Sequence, residues 1–332
     1  MWLIYVHIVC LIAQNLAVES SSKTVCVQAS TKHVQSTGCN KCDWYGNLTR
    51  KLSQHIEDST LVRFCSRKTS LFDLIHIANK KSLSLYGLYN FDTVVQCQQV
   101  GNVSPGFRFT NITQLQISKI SFLGCGAIHK GSSVNGTNTI PFLASIYIYN
   151  SRDAQINHVS IEDGNGTGLA IINTNGFVQV TYSMFKNNGI KGNSSLSGGR
   201  GVYVDFTYCP PGNVSECEKF NRNNKNSTYL FSHNTFVANV ASLVTEWRHT
   251  PLRYRAQKTK FQEVGLGGGM TLYIRADASG NNITIEHCSF LANKAILGGG
   301  LLVNFHDTPM DNLVVVRNCT FWKILQKRVV VV

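Results

Sequence analysis

Apolar residues recur along this chain in a fixed pattern. With a phenylalanine-like position taken as zero, apolar or aromatic residues stand at minus seven and minus five, and an asparagine often stands at plus three. Phe290 has Ile283, Ile285 and Asn293; Phe236 has Tyr229, Phe231 and Asn239; Phe185 has Val178, Val180 and Asn188. Phe321 carries Val314 and Val316, and Phe122 carries Leu115 and Ile117. Ile161 fits more loosely, with Ala154 and Ile156. A two-residue alternation of this kind is a strand signal, and the 3.6-residue period of a helix is absent.

Glycine clusters open a second alternating strand. They are Gly198-Gly199-Arg200-Gly201 before Val202, Gly267-Gly268-Gly269 before Met270, and Gly298-Gly299-Gly300 before Leu301. Phe290 to Phe321, Gly269 to Gly300 and Cys288 to Cys319 are each 31 residues apart. The earlier phenylalanine-like spacings of 39, 24, 51 and 54 imply insertions of variable length. Coils of two or three short strands, stacked so that their apolar faces form one core, explain both markers. The expected fold is all-β: a right-handed parallel β-helix with a Cys-rich N-terminal lead-in and long loop insertions. A β-sandwich is the alternative, but it does not require equal spacing of two separate motifs.

The run Ile-Thr-Ile-Glu-His-Cys-Ser-Phe-Leu-Ala-Asn at 283–293, followed by Gly298-Gly299-Gly300, resembles the parallel β-helix repeats of the pectin-lyase-like superfamily. Its Phe-X-X-Asn and Gly-Gly pairing is also similar to bacterial polymorphic outer-membrane repeats. Leu83 to Gly126, with Val94-Val95-Gln96-Cys97, Gly106-Phe107-Arg108-Phe109 and Phe122-Leu123-Gly124-Cys125-Gly126, resembles the early coils of large uncharacterised extracellular β-helix proteins of animals. The resemblance covers roughly residues 60–325 and implies a fold that carries many functions.

Other features point to export. Residues 1–20 read as a signal peptide: Trp2 to Ala13 is apolar, no acid precedes Glu19, and the run is too short to span a bilayer. A membrane-anchored start is the alternative, because a basic leading region is missing. No other stretch is apolar enough for a transmembrane helix. Eleven cysteines leave an even ten once Cys10 is removed with the signal. Ten of the thirty asparagines lie in Asn-X-Ser/Thr sequons, where chance predicts about four. Asn47, Asn102, Asn111, Asn135, Asn165, Asn193, Asn213, Asn226 and Asn282 are the expected glycosylation sites. The tenth, Asn318, falls inside a strand pattern. The net charge of +13 suits sulfated or uronic glycans or anionic cell surfaces, unless it only solvates the surface, and anionic glycans or extracellular proteins are the expected partners. Export argues against nucleic acid as a partner.

The expected organisation is a Cys-rich cap at 21–60, the β-helix at 61–326, and an incomplete end at 327–332. Gln54 to Asp58 would begin a short capping segment. Cys39-Asn-Lys-Cys42 could hold zinc or a redox pair, but a disulfide cap fits an exported chain better. Cys97 with Cys125 would close one coil, and Cys209 with Cys217 would pin a loop around Pro210-Pro211-Gly212. Cys288 and Cys319 stack at strand spacing, which permits either a disulfide or a reduced buried pair. Lys327-Arg328 and four valines leave the last rung uncapped, so a C-terminally truncated piece of a longer solenoid is expected.

Two places could carry chemistry. Residues 247–262 interleave Arg248, Arg253, Arg255 and Lys258 with Trp247 and Tyr254, which suits sulfate or carboxylate on a glycan. The plain alternative is a solvated loop. Stacking the glycine-led strands by register gives outward stripes Asp205/Tyr273/Asn304 and Thr207/Arg275/His306, with Asp277 and Asp307 at the strand ends. Asp205, Arg275, Asp277, His306 and Asp307 are the catalytic candidates; Tyr273 and Asn304 are ligand-binding candidates. The resemblance argues against polyuronide cleavage. Asn173-Thr174-Asn175 has asparagine where polygalacturonases have aspartate, and the chain has no Asp-Asp and no Gly-His-Gly. The three aspartates with Arg275 only loosely imitate a pectate lyase set. No cofactor or metal is implied. The expected function is a noncatalytic glycan- or protein-binding or structural module, with a carbohydrate-active lyase or hydrolase as the alternative.

Overall fold

Alternating side chains need a surface on each side of a strand, and here the inner surfaces close on one another. The computed structural model describes residues 23–28, 39, 41–88, 93–98, 105–126, 144–189, 200–206, 225–241, 267–275, 278–295, 297–306 and 311–326. Among them the fold is nearly all-β, and strand pairing is parallel throughout, in curled, solenoid-like sheets. No helix of these residues is long and apolar enough to cross a membrane.

One coil runs through strands Ala144–Tyr149, Asp153–Asn157 and Ser160–Glu162. Left-handed residues turn its corners at Asn150, His158 and Asp163, with φ of 51°, 53° and 54°. The next coil repeats this with Thr167–Ile172, Phe177–Thr181 and Met184–Lys186. Three further coils follow the same plan up to Leu301–His306, Leu313–Arg317 and Thr320–Trp322. In the earlier strands Leu74–Gly87 and Gly106–Ser118 the first two segments remain joined, bent at Asn79 and Asn111. Asparagine tolerates the left-handed region better than most residues, which accounts for part of its abundance. Asn318 also occupies such an exposed corner between strands, not a strand interior.

The phenylalanine-like positions are register partners: Phe122 with Ile161, Ile161 with Phe185, Phe185 with Phe236, Phe236 with Phe290, and Phe290 with Phe321. The last four rings stack with centroids 5.3, 4.6 and 4.7 Å apart. The asparagines at plus three form a buried ladder beside them. Asn188 Nδ2 donates to Asn239 Oδ1 at 3.1 Å, and Asn239 Nδ2 to Asn293 Oδ1 at 3.0 Å. Each also donates to a backbone carbonyl, so these buried amides are paired. The glycine clusters make room for this stack. A Cβ on Gly269 would lie 2.4 Å from the Gly300 carbonyl oxygen and 2.8 Å from the Phe290 ring.

The Cys-rich segment joins the same sheet, because Lys23–Val27 pairs with Ser59–Phe64. Cys26 bonds Cys42 and Cys39 bonds Cys65, so neither cysteine of the Cys39/Cys42 motif keeps a thiolate for zinc. The one-turn helix of this region is Leu52–His55, earlier than the expected segment at Gln54–Asp58, and Leu52 packs into the core. Cys97 bonds Cys125. Cys288 and Cys319 are free thiols, the reduced form of the two arrangements considered, so they do not supply a disulfide here. Cys209 and Cys217 lie outside the described residues.

Candidate ligand-binding face

Along the first strand of each coil, every second side chain leaves the core and points outward. Register pairing aligns these residues into two columns. One runs His76, Arg108, Tyr147, Ala170, Tyr203, Thr271, Leu302. The other runs Ala78, Thr110, Tyr149, Ile172, Asp205, Tyr273, Asn304. The Asp205/Tyr273/Asn304 stripe is therefore a register column.

The column is not an open polar stripe. Asp205 is 0% and Tyr273 5% exposed, and Asn304 is half-buried. Tyr147, Ala170, Ile172, Tyr203 and Tyr273 form a second apolar layer on this outer side. A face this rich in aromatic and aliphatic groups is driven out of water, and it takes the carboxylate with it. The Tyr203 hydroxyl donates to Asp205 Oδ2 at 3.0 Å. The Arg200 guanidinium lies 4.3 Å from the Tyr203 ring centroid. Behind this layer, burial and then the Asp205 charge hold the Tyr229 phenol above its ordinary range. Arg275 and His306 pair in register in their strands, and nothing further is described of their side chains. Asp277, Asp307 and Thr207 lie outside the described residues, as do Arg248, Arg253, Arg255 and Lys258.

The near end of the same face carries one cation, Arg108, beside an imidazole. His76 and Arg108 are register partners, and the Arg108 guanidinium carbon lies 5.8 Å from the Tyr147 ring centroid. His76 Nε2 is 3.3 Å from Thr110 Oγ1. Among the described residues, the buried Arg108 Nε has no hydrogen-bond partner. Burial and then the Arg108 charge lower the pKa of the His76 imidazole. Tyr147 and Tyr149 stack at 6.1 Å, and Tyr149 is half-buried. Residue-by-residue inspection of the sequence misses this cluster. Its only local signal is a polar residue between inward apolar pairs, as in Ile75-His76-Ile77 and Phe107-Arg108-Phe109.

A separate corner carries a ladder of rings. His158, Tyr182, His233 and His287 stack at 5.1, 4.8 and 4.8 Å, aligned by their shared left-handed backbone. Their flat faces are turned to one another, which leaves edges for solvent. Beside it, Glu286 accepts two hydrogen bonds from Arg317, which hold its carboxyl below the usual range. Of the sequon asparagines, Asn47, Asn111, Asn226, Asn282 and Asn318 are exposed and Asn165 is half-buried; Asn102, Asn135, Asn193 and Asn213 lie outside the described residues.

Compared with known proteins, the chain matches no family model, no curated relative and no solved structure.

Proposed function

We propose that this chain is a right-handed parallel β-helix, exported and N-glycosylated, that recognises an anionic extracellular partner without transforming it. Crossovers between parallel strands of one sheet are right-handed in about 98% of cases, which favours that hand for the coils. Three disulfides and the density of sequons support export. The observation that carries the function is the outer face itself. It presents His76, Arg108 and the half-buried Tyr149 beside the buried Tyr147, while its carboxylate Asp205 is sealed and hydrogen-bonded to Tyr203.

A glycosidase or lyase needs acid and base groups within reach of the substrate. A fully buried Asp205 does not meet that need, whereas a cationic and aromatic face suits binding. The test is a panel of immobilised heparin, hyaluronan, polygalacturonate and neutral dextran. Retention on anionic supports only, with no released reducing ends or unsaturated sugars, is expected. Failure to bind any anionic support, or product release, would overturn the reading.

A further inference from the structure

We propose that His76, Arg108, Thr110 and Tyr149 form a subsite for one anionic substituent of a saccharide, a sulfate or a carboxylate; the assignment rests on the anion-binding function proposed above. Rungs lie about 4.8 Å apart and alternate outward residues about 7 Å apart, so these four side chains span about 12 Å, the length of about two sugar units. Arg108 supplies the charge. Its guanidinium carbon lies 5.8 Å from the Tyr147 ring centroid, and its Nε donor is buried without a hydrogen-bond partner among the described residues. Its two terminal nitrogens form a fork that matches two oxygens of sulfate or carboxylate.

The neighbours define the rest of the ligand. The outward grid His76, Ala78, Arg108, Thr110, Tyr147, Tyr149 contains no carboxylate to compete for the guanidinium. Asp73, which precedes this strand, is already paired with Arg50 at 3.1 Å. Thr110 adds a hydroxyl beside His76. Ala78, the register partner of Thr110, carries a smaller side chain. Tyr149, half-buried and stacked on Tyr147 at 6.1 Å, places an aromatic ring beside this grid, against which a sugar ring could pack. An anion next to a stackable ring describes an acidic saccharide better than a free ion.

The test uses the intact secreted glycoprotein and calorimetric titration at constant ionic strength. The probes are a sulfated heparin oligosaccharide, a hyaluronan oligosaccharide carrying carboxylates alone, and polyglutamate. Binding to one or both saccharides should weaken by roughly tenfold in Arg108→Gln and nearly as much in Arg108→Lys, because a point charge does not reproduce the fork. Preference between the two saccharides identifies sulfate or carboxylate as the anion. Should Arg108→Gln fail to fold, Thr110→Val and Tyr149→Ala carry the test, each expected to weaken binding several-fold. If the parent protein binds saccharide and these variants bind equally well, the subsite is wrong while the anion-binding reading stands. If the parent binds only polyglutamate, the saccharide assignment is overturned. If it binds none of the three, the underlying reading fails as well.

Discussion

Tyr203 and Asp205 stand two residues apart on one strand, face the same outer side, and share a 3.0 Å hydrogen bond while both are fully buried. This pairing makes Asp205 a structural carboxylate. Tyr203→Phe removes a donor from a buried charge and is expected to lower stability by about 1–3 kcal/mol in denaturant unfolding. Asp205→Asn is expected to leave saccharide binding unchanged. Loss of a hydrolytic or lytic activity in Asp205→Asn would reverse this account of the residue.

The core depends on ladders whose members differ in enclosure. Phe290 lies between Phe236 and Phe321, and its replacement by alanine should cost about 3–5 kcal/mol. Phe321 is 47% exposed on the last described rung, so Phe321→Ala should cost clearly less. Equal losses would argue against the stacked order. Calorimetric melting of the two variants gives the comparison.

Asn239 accepts from the Asn188 amide and donates to both Asn293 and the Phe185 carbonyl. Asn239→Ala should therefore leave several buried groups unmet, each worth about 1–3 kcal/mol. Exposed Asn47→Gln, measured in the same unfolding experiment, should cost almost nothing.

The two free thiols should differ in reactivity. Burial pushes the Cys288 thiol up to about 12, whereas Cys319 is only half-buried. Alkylation of the native protein at pH 8 should label Cys319 first and reach Cys288 only on unfolding. Peptide mass spectrometry reads this directly, and a Cys288–Cys319 linked peptide would contradict the free thiols.

His76 has a lowered pKa in the folded chain, so the unfolded chain takes up the proton first as pH falls. Its contribution to stability is present above its unfolded pKa and lost as pH falls below that value. Arg108 is the charged group that faces it, and the bound anion should favour the protonated ring. Saccharide affinity is accordingly expected to rise between pH 7.5 and 5.5, and His76→Asn should flatten that rise. An affinity that falls with acidification would count against His76 as a ligand contact.

Much of the scaffold was legible in the chain. Phe290, Phe321, Gly269 and Gly300 announced the 31-residue coil because inward packing demands the same residue types at each rung. Asn188, Asn239 and Asn293 were visible as a pattern, but their buried ladder was not, since hydrogen-bond partners lie 51 and 54 residues apart. The register of Asp205 with Tyr273 and Asn304 follows from the sequence, and its burial does not. Period-two alternation tells which side a residue faces, not whether that side is wet. His76 and Arg108 look like ordinary outward residues of two strands, and only the pairing of those strands brings them together.

The outer face around Arg108 is proposed to recognise its ligand without turnover. Calorimetric titration of the full chain with a defined sulfated oligosaccharide, followed by analysis of the recovered sugar, tests this most directly. Saturable binding with the oligosaccharide recovered intact is the predicted result. Cleaved sugar, or no saturable heat with any anionic saccharide, would contradict it.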